Sequence, residues 1–157
     1  MPRYAVVTTV SSEKTRNEIE ATLARYGATA FVYGWEGQRA IIQFRAHDRH
    51  IRFMLPLPDK TSLEFIQTPT GKSRSLPQVE AAISQAVRQR WRALLLIIKA
   101  KLEAIDSGIV TFEDEFLSHT VLPDGRTAGE WLKPQIAIAY DRSDMPKMLP
   151  GPTGERK

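Results

Sequence analysis

The chain has 157 residues, 42% hydrophobic and 25% charged, a balance that suits one globular domain and excludes a collagenous, fibrous or wholly disordered protein. It has no cysteine, which removes disulfides, thiolate metal sites, iron–sulfur clusters and cysteine nucleophiles from consideration. The net charge of +4 is lopsided: residues 1–75 hold 11 Lys and Arg against 7 Asp and Glu, whereas residues 76–157 hold 11 of each.

The first residues lack the pattern of a secretory leader, and the longest apolar run, Ala93 to Ile98, is far too short for a bilayer. A soluble intracellular protein without membrane contact is the expectation. Tyr4 to Val10 is rich in β-branched and aromatic residues and predicts a first strand. Ser11 and Ser12 offer N-cap hydroxyls to a helix over Glu13–Tyr26, where Ile19, Leu23 and Tyr26 recur at helical spacing and Gly27 closes. Ala28–Trp35 and Arg39–Ala46 read as a hairpin about Glu36-Gly37, with Ala40, Ile42, Phe44 and Ala46 on one face. His50–Leu57 follows with Ile51, Phe53 and Leu55 on the core face, ended by Pro56 and Pro58.

Residues 59–75 have no apolar period and read as a mobile loop. Ser75 and Gln78 form a capping box that opens a helix to about Ser107. Ile83, Val87, Trp91, Leu94, Ile98, Leu102 and Ile105 share one stripe of it, while Leu96 lies off the stripe, so either helices wrap this one on more than one side or part of it enters a homo-oligomer interface. Thr111 caps a second helix, Leu122–Gly125 is a turn, and Thr127 with Glu130 caps a third helix that carries Pro134 toward Tyr140. The expected architecture is α+β: a small antiparallel sheet in β-α-β-β-β order, then a helical half with one long helix. It divides as one domain over 1–142 (sheet-rich 1–58, loop 59–75, helical 76–142) and a loosely ordered tail over 143–157.

Three blocks, VSSEKTRNEIEATLARYGATAF, RQRWRALLLIIKAKLEAIDSGIVTFEDEFLSH and VLPDGRTAGEWLKPQI, resemble a family of small proteins encoded by bacteriophages and prophages. The likeness runs nearly the whole chain up to Pro150. It implies phage or prophage origin and action in the host cytoplasm, and brings no catalytic residues.

The residues themselves point to charge rather than to catalysis. On the sheet face opposite Ile42 and Phe44 the alternation places Arg39, Gln43, Arg45, His50 and Arg52, with Arg49 and Trp35 nearby. Arginines that reach phosphates beside a ring that stacks bases suit a nucleic-acid surface. On the long helix Arg88, Arg92 and Lys99 project within about 40° of one another, flanked by Arg90 and Lys101. The alternative is that these cations lie along the core edge and pair with acids such as Glu113 to Glu115. Glu115 and His119 stand four apart on an expected helix, a weak metal-ligand spacing, and His47 and His50 would fall on opposite faces of a hairpin. Thr70-Gly-Lys-Ser73 matches the end of a phosphate loop without its upstream glycine.

The sequence thus predicts an accessory protein, more a binder than an enzyme, that needs no cofactor. It would bind nucleic acid through the basic sheet face and helix stripe. One rival is a protein-binding inhibitor of a host defence system, with Glu113 to Glu115 as a nucleic-acid mimic. The other is a metal-dependent enzyme using Glu115 and His119.

Overall fold

The computed structural model describes residues 4–145. Ser11 caps α1 (Ser12–Arg25), its hydroxyl accepting from the Lys14 amide at 3.1 Å. Three strands follow, β1 (Thr29–Glu36), β2 (Arg39–Ala46) and β3 (Arg49–Pro56), antiparallel in the order β1-β2-β3. The second hairpin turns on His47 and Asp48, both at positive φ (49° and 58°), the primed geometry that matches the twist of two short-linked strands.

After the sheet come a one-turn α2 (Leu63–Ile66), the long α3 (Leu76–Asp106), a one-turn α4 (Phe112–Glu115), a 3₁₀ turn (Leu117–His119) and α5 (Ala128–Arg142). The α+β architecture and the single long helix are as the sequence predicts. So are both capping boxes: the Ser75 amide donates to Gln78 Oε1 at 2.9 Å and the Thr127 amide to Glu130 Oε2 at 2.7 Å. Among the described residues no helix is long and apolar enough to cross a membrane.

One sheet face packs under α1 and α3. The core joins Ile19 and Leu23 of α1, Ile42, Phe44, Ile51 and Phe53 of the sheet, and Trp91, Leu95, Ile98 and Leu102 of α3, closed at one end by Phe112 and Phe116. The stripe read from α3 is buried from Trp91 to Leu102, and Ile83 and Val87, nearer its start, are half-buried because less of the fold covers that turn.

Three expectations change. Tyr4–Val10 is not a strand: residues 4–7 form turns, Ala5 sits at φ 57°, and the Val6 and Thr8 carbonyls accept from the Gln85 side chain at 2.8 and 2.9 Å. β-branched residues suit any extended backbone, and here a helix side chain rather than a strand takes the carbonyls. Residues 59–75 are more structured than a plain loop. They hold α2 with Phe65 buried, a Gln67–Ser73 bridge, and an Arg74 side chain that donates to the Glu64 carbonyl at 3.0 Å. The helix expected from Thr111 stops after one turn, so Glu115 and His119 do not share a helix face. Of the proline-rich tail, residues 146–157 lie outside the described residues.

Candidate nucleic-acid interface

Strand register decides which side chains meet on the face turned away from α1 and α3. Directly opposed residues of antiparallel strands point to the same side. Gln43 stands opposite Arg52, Arg45 opposite His50, Ile41 opposite Met54 and Arg39 opposite Pro56. From β1, Val32 stands opposite Gln43 and Glu36 opposite Arg39. The outer face is therefore an aliphatic centre of Val32, Ile41 and Met54 set among Arg39, Gln43, Arg45, His50 and Arg52. Among the described strand residues its one acid is Glu36, at the corner.

These cations differ in how far the protein occupies them. Arg39 is exposed and has no hydrogen-bonded or ionic partner among the described residues. Arg45 is exposed and its Nη2 lies 2.7 Å from Nε2 of His50, its neighbour across the β2–β3 pairing. Arg49, in the turn, donates to its neighbour's carbonyl on Asp48 at 3.2 Å. Arg52 is half-buried: Nη1 donates to the Gly125 carbonyl at 2.8 Å and ties the 122–125 turn to the sheet, while its Nε is buried without a partner among the described residues. Among the described residues none of the four joins an ion pair.

Trp35 does not belong to this face. It stands opposite Ala40, so with Phe31 and Tyr33 it projects to the core side, beyond the reach of the covering helices, and is 67% exposed. Its place at the hairpin edge was legible, but its side depended on register, which one residue of slip inverts.

The α3 cations have mostly internal partners. Arg92 pairs with Glu18 of α1 at 2.9 Å, and Lys101 with Glu115 at 2.9 Å, both with side chains only 19% exposed on the cationic partner. Arg88 donates to Gln85 Oε1 and Arg90 to the Pro56 carbonyl. Lys99 alone of the predicted stripe stays exposed and without a hydrogen-bonded or ionic partner among the described residues. The alternative reading of the stripe, cations lying along the core edge and pairing with acids, describes Arg92 and Lys101.

The chain finds no match among protein-family models, curated proteins or solved structures. The site rests on its own geometry.

The weak metal pair does not assemble. The Glu115 carboxylate is held by the Lys101 ammonium, whose charge opposes a divalent ion, and the His119 ring stacks on Phe53 with centroids 4.1 Å apart. Burial, and next Lys101, hold the His119 imidazole below its usual pKa. Among the described residues no group of three or more His, Asp or Glu side chains could hold a metal. His47 instead stacks on Phe112 at 4.5 Å, whereas His50 meets Arg45 on the outer face. Residues 70–73 form the tip of a turn closed by the Thr68 amide donating to the Lys72 carbonyl at 2.8 Å, not a loop leading into a helix N-terminus. Two of the acids Glu113 to Glu115 are likewise engaged: Asp114 accepts from the Thr111 hydroxyl at 2.8 Å and Glu115 from Lys101.

Proposed function

We propose that the protein is a non-enzymatic nucleic-acid-binding accessory protein whose contact surface is the outer face of the sheet. The observation that carries this reading is that Arg39, Arg45 and Arg52 come from two adjacent strands onto one outer side, none of them in an ion pair among the described residues. Cations that stay unneutralised within the fold retain their attraction for phosphate, and releasing counterions from the polyanion supplies most of such affinity. Val32, Ile41 and Met54 between them give sugar and base faces an apolar floor. The phage setting rests on the likeness of the three sequence blocks. The helix stripe plays a smaller part than the sheet, with Lys99 its contribution. The defence-inhibitor reading has less support, because most of the acidic cluster is used in capping and ion pairing.

The test is retention on immobilised single- and double-stranded DNA and on RNA over a range of salt. The parent should bind, with affinity that falls steeply as salt rises. Arg39→Glu with Arg45→Glu should abolish retention while leaving the melting temperature unchanged. A parent that binds no nucleic acid, or a double variant that binds as the parent does, overturns the reading.

A further inference from the structure

The two edges of the sheet are treated differently. Along an antiparallel ladder, alternate residues turn their main-chain N–H and C=O toward the partner strand and the others turn them outward. On β3 the outward residues are His50, Arg52, Met54 and Pro56, and this edge is largely engaged. The Val121 amide donates to the His50 carbonyl at 2.8 Å, Ile51 bridges Thr120, His119 faces the Arg52 main chain and the Arg90 side chain donates to the Pro56 carbonyl.

On β1 the closing pair Glu36–Arg39 fixes the alternation, and the outward residues are Phe31, Tyr33 and Trp35. Among the described residues nothing accepts from or donates to them on that side; β1 pairs only with β2. Beyond its first residues the strand lacks the usual protections of an edge: it has no proline, no lysine and one charge, Glu36, at its end. Its irregularity is confined to the Thr29–Phe31 start, leaving Phe31 to Trp35 regular.

We propose that β1 pairs antiparallel with β1 of a second copy, about a two-fold axis beside Tyr33, to make one continuous six-stranded sheet. The occupant follows from the symmetry of the edge itself. With Tyr33 opposite Tyr33 of the second copy, Phe31 falls opposite Trp35, so aromatic meets aromatic at each outward position and each such pair exchanges two main-chain hydrogen bonds. Val32 meets Gly34 on the outer face, and the one charge of the strand, Glu36, runs toward the uncharged Thr29–Ala30 start of the second copy's strand, so no like charges oppose. Trp35 and Tyr33, 67% and 42% exposed, gain cover from the second copy's rings on the core side. The axis stands normal to the sheet, so the arginine faces of both copies look the same way and join across the seam.

Sedimentation velocity of the full chain tests this. The parent should sediment as a dimer. Tyr33→Pro, which removes an outward N–H and no bond to β2, should halve the mass with parental circular dichroism. Tyr33→Cys places the chain's one cysteine at the axis, where the spacing of a hydrogen-bonded pair, about 5.5 Å, fits a disulfide. Oxidised glutathione, taking two electrons and two protons from the thiol pair, should give a covalent dimer there and not with Glu36→Cys. If Tyr33→Pro does not fold, the cysteine pair decides. A parent monomeric at every concentration, a folded Tyr33→Pro that stays dimeric, or equal cross-linking of Tyr33→Cys and Glu36→Cys overturns the proposal.

Discussion

The outer sheet face and helix α3 carry similar numbers of cations in the sequence and use them in opposite ways. On α3, a helix flanked by α1 on one side and by the α4 region on the other, the long side chains are half-buried at the margins of the core. Each half-buried cation needs a partner there, and Arg92 and Lys101 find Glu18 and Glu115. Among the described residues no element covers Arg39 and Arg45 on the outer sheet face, and Arg45 stands opposite Thr29 and His50 rather than an acid. A positive residue count therefore says little about where a protein is positive. What matters is whether the backbone brings an acid within reach.

The largest effect that sharpens this contrast comes from the helix. Trp91 is 2% exposed, with the Arg16 guanidinium 5.4 Å from its ring, and Trp91→Ala should cost about 3–5 kcal/mol in denaturant unfolding. Next comes the sheet face: Arg39→Glu with Arg45→Glu should remove nucleic-acid retention and change stability by less than about 0.5 kcal/mol. Single Arg39→Ala should only weaken binding and lower the slope of log affinity against log salt by about one phosphate contact. Third, Glu115→Ala leaves the mostly covered Lys101 ammonium without its carboxylate and should cost about 1 kcal/mol, well above Arg39→Ala. If the helix and sheet variants cost the same, the difference between the two regions disappears.

The smallest effect is a pH dependence. The folded His119 pKa lies below its ordinary 6.5, so the unfolded chain binds the proton more readily. The stability this contributes is fully present above pH 6.5 and is lost as pH falls from there through the folded value. Melting temperatures of the parent and of His119→Phe should therefore converge or cross as pH falls from 7 through this window, the parent losing more. Parallel curves would mean that His119 titrates alike in both states.

Much of the fold was legible because it is written in local chemistry. The strand bounds of β2, the core alternation of β2 and β3, and the caps at Ser11, Ser75, Thr111 and Thr127 follow from side-chain period and hydroxyl placement. What was not legible depends on tertiary partners. The fate of Tyr4–Val10 was set by Gln85 on a helix distant in sequence, and the side taken by Trp35 by register. The arginine face itself was readable from alternation, yet which cations stay free was not. Glu18 and Glu115 carry no sign in the sequence that they belong to Arg92 and Lys101.

The strap that closes the β3 edge also bears on the order in which the molecule assembles. Both hairpins join neighbours through two-residue turns, so little loop-closure entropy opposes them, and they are expected to form first. The bond from Val121 to His50 spans the whole of α3 and must await its docking. Pulsed amide exchange during refolding should protect the β2 amides before that of Val121. Until α3 and the strap are in place, the nascent three-stranded sheet exposes strand edges on both sides, which makes the delay before strap closure the interval in which the chain is most open to aggregation.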